Sequence, residues 1–278
     1  MDQPTRRFFL TGCASGIGLH LCDTLQRAGH RVWATDIDID GLRQRARERT
    51  WPEDLVTTRA LDIADARAWE PVYREAVAAL GAVDVHMNIA GYLAPSWICD
   101  ARDDDIDRHF DVNVKGVVLG TREAARHMTA RGEGHILNFA SLAALAPIPG
   151  LSLYSASKYA VRAYSLAAAM ELRARGVAVT VICPDAVKTP MLDKQLDHEE
   201  TELTFSGAQL SVEDIARLVI ERALPRRPLQ LSIPRSRAVL ARVADLAPRV
   251  AMAIQPRLAA RGRARQRAMK AEHERDDD

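Results

Sequence analysis

Three observations predict an α/β fold: a doubly wound parallel sheet in three α/β/α layers, with a C-terminal helical extension. Short apolar runs alternate with longer stretches whose apolar residues recur at helical spacing. Glycines stand where those stretches should stop, at Gly29, Gly81, Gly132 and Gly176. A glycine-rich turn lies between the first apolar run and the first helical stretch. Strand–helix alternation of this kind joins parallel strands through right-handed crossovers.

The runs Phe8 to Leu10, Arg31 to Thr35, Leu55 to Ala60, Val83 to Met87, His135 to Phe139 and Val177 to Ile182 read as buried strands. Between them, Ile17 to Ala28, Gly41 to Arg49, Ala66 to Leu80, Asp107 to Ala130 and Tyr154 to Arg175 read as helices. Lys188 to Ser206 is polar and irregular, and its place before the Ser211 to Leu224 helix predicts a mobile flap. The division expected is a dinucleotide-binding and catalytic domain over 1–234 and an arginine-rich extension over 235–278.

That extension has two readings. It is an amphipathic helical segment packed on its own domain or on a subunit partner. Alternatively, it makes a weak membrane-surface contact through Val239, Leu240, Val243, Leu246, Val250, Met252 and Ile254 beside its arginines, against which the terminal acidic cluster counts.

At 278 residues, 47% of them apolar, the chain can bury a sizeable core as one sheet domain. A net charge of +1 gives no argument for a nucleic-acid partner. Cys13, Cys22, Cys99 and Cys183 have no paired spacing and read as reduced residues of a cytoplasmic protein. The first strand starts too early to leave room for a signal peptide, and no apolar run approaches the roughly 20 residues of a spanning helix. The histidines show no metal-ligand spacing, so no metal is expected.

The turn Thr11 to Gly18 follows a strand and opens a helix, a Rossmann-like arrangement. Gly12, Gly16 and Gly18 would let the backbone approach a pyrophosphate at the positive end of the helix, with Ser15 and Ile17 between them. Asp36 closes the second strand, where a carboxylate accepts hydrogen bonds from ribose hydroxyls and repels a 2′-phosphate. No cation follows it to offset that repulsion, so NAD is expected over NADP. Asp62 and Ile63 after the third strand fall near an adenine ring. Asn88, Ala90 and Gly91 after the fourth bring small residues beside the cofactor.

Tyr154 and Lys158 stand one helical turn apart and leave the same face. A free tyrosine titrates near about 10. A lysine ammonium beside it, together with a cationic nicotinamide, would favour the phenolate and let it exchange a proton with an alcohol. Ser141, thirteen positions upstream, ends a strand and could hydrogen-bond the reacting oxygen.

With these pieces in this order, the chain resembles the short-chain dehydrogenase/reductase family in its short, single-domain form. The matching segments are TGCASGIG, Asp36, LDI at 61–63, NIAG at 88–91, VNVKG at 112–116, Ser141, YSASK at 154–158 and PDAVKTP at 184–190. The resemblance implies that Asn113 kinks its helix and presents a carbonyl for a water linked to Lys158. It also implies that Lys158 grips the nicotinamide ribose, and that Pro184, Val187 and Thr189 frame the carboxamide. Assembly as a homodimer or homotetramer on the helices of Asn113 and Tyr154 is implied as well.

Two positions depart from the family pattern: Asp185 where a glycine is usual, expected to be solvent-exposed, and Ile89 where a second asparagine is usual. Tyr92, Leu142, Ala143, Leu151 and Met191 are expected to line a substrate pocket, with Leu93, Trp97, Pro147, Leu192 and Phe205 around them. Few cations are expected there. The expected function is NAD(H)-dependent interconversion of a hydrophobic secondary alcohol and its ketone, steroid- or retinoid-like. The alternatives are an NADPH-dependent biosynthetic ketoreductase and a non-catalytic NAD-binding regulatory or scaffold protein.

Overall fold

A computed structural model describes residues 5–276, with side chains described through 272. The first half of the sheet comprises β1 (Arg7–Thr11), α1 (Gly16–Arg27), β2 (Arg31–Asp36), α2 (Ile39–Glu48), β3 (Val56–Ala60), α3 (Ala66–Leu80) and β4 (Val85–Asn88). The second half adds α4 (Asp103–Phe110), α5 (Val117–Arg131), β5 (Gly134–Phe139), α6 (Ser152–Leu172) and β6 (Val177–Pro184). Short helices α7 (Pro190–Asp193), α8 (Val212–Leu218) and α9 (Leu224–Arg226) precede β7 (Gln230–Ile233). The extension forms α10 (Arg235–Leu246) and α11 (Pro248–Asp276).

The strands run in the order β3-β2-β1-β4-β5-β6-β7, and every neighbouring pair is parallel. The order reverses between β1 and β4, and a crevice must open there beyond the strands' carboxyl ends. Period-two alternation divides the core. Phe8, Leu10, Val32 and Ala34 pack on one face with Leu21 and Leu25 of α1. Phe9 and Trp33 pack on the other with Trp69 and Tyr73 of α3 and Met128 of α5. Strands buried on both faces explain why these runs read as continuous apolar segments.

The helix expected over Asp107 to Ala130 is two helices joined by a π turn at Asp111–Gly116. Asn113 sits at that break, fully buried, and its side chain bonds outside its own helix, which accounts for the distortion. The seventh strand was not legible in the sequence: four half-buried edge residues between Pro228 and Pro234 carry too little pattern. At α8, Ser211 and Asp214 form a reciprocal capping box that fixes the helix start.

The extension packs on its own chain. Ala238 is buried among Val117, Ala140, Leu145 and Val181, and the Tyr159 hydroxyl donates to Asp245 at 2.7 Å. Pro248 begins α11, where a missing N–H is harmless, and Pro256 is carried inside it. Val239, Leu240, Val243, Leu246, Val250 and Met252 remain exposed. Among the described residues, no helix is long and apolar enough to cross a membrane.

Candidate active site

The carboxyl ends of β1 to β6 converge on one cavity of about 410 Å³. Its dinucleotide end is lined by Gly12, Ser15, Gly16, Ile17 and Gly18 with Asp36, Asp62 and Ile63. The glycines answer to the protein as much as to a phosphate. Gly12 has φ +73°, and a Cβ there would lie 2.8 Å from the Ala90 backbone. A Cβ on Gly18 would lie 2.0 Å from the Gly12 carbonyl oxygen. Glycine at position 12 therefore lets the turn nest against the β4 end, and glycine at 18 lets the helix start close against the turn itself.

Asp36 accepts the Ala14 N–H at 2.8 Å and the Asp38 N–H at 3.0 Å, one on each carboxylate oxygen. This aims its remaining lone pairs along the cavity wall. Ile37 is the next lining residue, and among the described residues no Arg or Lys lines that end. Thr189 lies against Gly16 and donates to the Val187 carbonyl at 3.2 Å, so the loop after β6 closes over the glycine turn. The cradle of bare backbone, the Asp36 carboxylate and the helix N-terminus fit a nicotinamide dinucleotide.

Ser141, Tyr154 and Lys158 line the same cavity beside Ala90, Gly91, Pro184 and Val187. Ser141 Oγ accepts the Ala143 N–H at 3.1 Å, which fixes its rotamer at the end of β5. Lys158 is 4% exposed, its Nζ 5.5 Å from the Tyr154 ring centre and donating to the Phe139 carbonyl at 3.0 Å. Burial pulls this ammonium down to about 8.

The buried phenol lies above the ordinary tyrosine range. Burial drives Tyr154 up to about 12, and the Ser141 hydroxyl only partly offsets this. In low dielectric the charged phenolate is disfavoured, and the hydrogen bond from Ser141 is what favours it.

Of the residues expected at the site, Asn88 and Asn113 do not line the cavity. The Asn88 side chain joins a buried network instead, donating to Asn138 Oδ1 at 2.8 Å and meeting His86 Nε2 at 2.9 Å. It ties β4 to β5 beneath the site. Asn113 stands behind Tyr92, accepting its N–H at 2.7 Å and donating to its carbonyl at 2.8 Å and to Ser157 Oγ at 3.0 Å. It thus links the Gly91 loop to α6.

Tyr92, Leu142, Ala143, Leu151 and Met191 line the substrate end, with Leu93 and Leu192. Trp97 is 51% exposed on the surface, Pro147 is outside the wall, and Phe205 is buried inside the flap with Leu192 and Leu196. The flap is folded into α7 and a 3-10 turn at Glu199–Ser206.

Two arginines missed by sequence reasoning line the wall, Arg108 and Arg237. Asp185 is not solvent-exposed. Its side chain is 11% exposed and ion-paired with Arg237 of α10. Burial raises its carboxyl and Arg237 counters that rise. A lone acid in a glycine's place and an arginine-dense tail were the available signals, but their meeting depends on the fold.

Comparison with known proteins decides the family. A profile described as short chain dehydrogenase matches residues 6–200. The chain belongs to the short-chain dehydrogenase/reductase family.

Within it, the chain is 35% identical over 226 residues to a 1-deoxy-11-beta-hydroxypentalenate dehydrogenase from Streptomyces exfoliatus, covering 80% of each. It is 32% identical over 201 residues to a 2-(R)-hydroxypropyl-CoM dehydrogenase from Xanthobacter autotrophicus, covering 70% of this chain and 80% of that one. The structure is similar to a 3-ketoacyl-(acyl-carrier-protein) reductase from Brucella melitensis complexed with NADH. The TM-score is 0.74 and the identity 28%, with coverage of 82% of this chain and 96% of that chain. Like its relatives in this dehydrogenase/reductase family, the chain is an oxidoreductase acting on CH–OH groups with a nicotinamide dinucleotide.

Proposed function

We propose that the chain interconverts a hydrophobic secondary alcohol and its ketone using NAD(H). The observation that carries this reading is that Ser141, Tyr154 and Lys158 share one cavity with a carboxylate, Asp36, at its far end. The bound dinucleotide would supply the hydride acceptor or donor. Ser141 Oγ would hold the substrate oxygen, and Tyr154 Oη would take its proton or return it. Lys158 would hold the ribose and bias Tyr154 toward the phenolate. Asn113 would keep the Gly91 loop and the helix of Tyr154 in register. Pro184, Val187 and Thr189 would frame the carboxamide.

The ratio of kcat/KM for NAD to that for NADP tests the role of Asp36. A preference for NADP would refute it and favour the biosynthetic ketoreductase reading. Loss of one charged hydrogen-bonding site costs about 1.5–3 kcal/mol, so Asp36→Ala should lower NAD efficiency by about 10- to 100-fold. The substrate end supports a bulky apolar, steroid- or retinoid-like body, because Leu142, Ala143, Leu151 and Met191 form its wall. A panel in which sugars outperform lipophilic alcohols would overturn that half.

One observation favours a second reading, an apolar substrate that also carries an acid group. Arg108 lines the cavity with its guanidinium 4.6 Å over the Tyr92 ring, and it has no ion pair among the described residues. The pentalenate relative is named for an acid. A hydroxy acid preferred over its methyl ester by wild type, but not by Arg108→Ala, would support this reading.

A further inference from the structure

The flap over the substrate end is a thin layer with two faces. Its inner face, through Met191, Leu192, Gln195, Leu203 and Thr204, lines the cavity. Its outer face is covered by α11, some sixty to seventy residues later in the chain. A four-residue helix and one 3-10 turn have too few internal hydrogen bonds to hold a single conformation unaided. Much of what holds them beyond their own turns comes from the extension.

Gln266 is 6% exposed, and its amide nitrogen is shared among four acceptors of the flap. These are the carbonyls of Gln195 at 2.9 Å, Leu196 at 3.3 Å and His198 at 2.8 Å, and Thr201 Oγ1 at 3.2 Å. Arg263 pairs with Glu202 at 2.6 Å, and Lys270 with Asp197 at 2.6 Å. Met269 packs on the flap's own small core of Leu192, Leu196 and Phe205. At Gly262 the helix runs so close that a Cβ would lie 1.8 Å from the Glu202 carbonyl oxygen. Gln195 carries this grip to the cavity: its side chain accepts the Thr204 hydroxyl at 3.1 Å and donates to the Met191 carbonyl at 3.2 Å. From the other helix of the extension, Arg237 holds Asp185 at the end of β6.

We infer that α11 is a built-in clamp that fixes the flap in its closed position and thereby sets the affinity and size limit for substrate. Gln266 and Arg263 are positioning residues in this scheme, acting through Gln195 and Glu202 without touching substrate. The size limit rests on the oxidoreductase reading above; the clamp itself does not.

The test uses the full chain as wild type, Gln266→Leu, Arg263→Glu, Glu202→Arg and the Arg263→Glu/Glu202→Arg charge swap. Amide hydrogen exchange is measured without any ligand. KM and kcat are measured for secondary alcohols of increasing size, and dinucleotide Kd by calorimetry. Gln266→Leu and each single charge variant should accelerate exchange across 190–206 by about tenfold or more, leaving β1 to β5 unchanged. KM should rise about tenfold with kcat within about twofold, bulkier alcohols should gain relative to small ones, and dinucleotide Kd should hold. The charge swap should restore both exchange and KM.

Unchanged exchange at 190–206 in all single variants would overturn the clamp, as would acceleration spread evenly over the sheet. Faster flap exchange with unchanged KM would overturn its role in substrate affinity. If wild type turned over no alcohol, the oxidoreductase reading would fail while the exchange data still decided the clamp.

Discussion

Two clusters at opposite ends of the same sheet treat charge in opposite ways. At the amino ends of the strands, Asp84 accepts hydrogen bonds from the Arg7 side chain at 2.6 and 2.8 Å and from Arg131 at 3.1 Å. Burial alone would raise the Asp84 carboxyl, but Arg7 and Arg131 outweigh it and hold it below its usual value. The hydrogen bond to Asp84 likewise raises Arg7. At the carboxyl ends, burial pushes Tyr154 and Asp185 up and Lys158 down, so each charged form is disfavoured. Asp84 and its two arginines favour one another's charges, whereas at Tyr154, Lys158 and Asp185 burial makes the charged form costly.

The largest expected effect is on chemistry. Tyr154→Phe removes the hydroxyl proposed to transfer the proton and should lower kcat by about 100- to 10,000-fold, with dinucleotide affinity kept, as steady-state kinetics and calorimetry would show. Full activity in that variant would detach the carboxyl end from catalysis and would favour a regulatory or scaffold protein.

The amino end should answer in stability instead. Asp84→Asn leaves two arginines without their carboxylate and should cost about 2 kcal/mol in denaturant unfolding at neutral pH. A depressed carboxylate stabilises above its unfolded pKa and loses that contribution as pH falls through the folded value. The gap between wild type and Asp84→Asn should therefore close in acid. A gap independent of pH would show that packing, not charge, holds that end.

A smaller effect of opposite sign sharpens the contrast. Lys158 folds with its pKa lowered to about 8, so the folded state disfavours its charge. Stability from this group is least below about pH 8 and rises with pH toward the unfolded value. Lys158→Met should abolish turnover yet unfold at higher denaturant near neutral pH, by on the order of 1 kcal/mol. That advantage should shrink in alkali. A destabilised Lys158→Met at neutral pH would mean that its bond to the Phe139 carbonyl outweighs the burial of its charge.

Much of the site was legible because it is local. Gly12, Gly16 and Gly18 lie on one turn, Asp36 and Ser141 end strands, and Tyr154 and Lys158 are separated by one helical turn. Such features need only the right secondary structure to converge, because all strand ends of a parallel sheet point to one edge. Asn88 shows the limit of that logic. Its position beside the cofactor turn was legible, but its side chain turns down to Asn138, a choice set by the neighbouring strand.

The sequence by itself determined the doubly wound sheet, the glycine turn and the Ser141, Tyr154 and Lys158 group, since periodicity and short-range spacing encode them. Only the tertiary structure decided that Arg237 meets Asp185, that Gln266 grips the flap and that burial raises the phenol. Those outcomes depend on pairs far apart in the chain and on how much water the fold excludes, and neither quantity is written in any short stretch of residues.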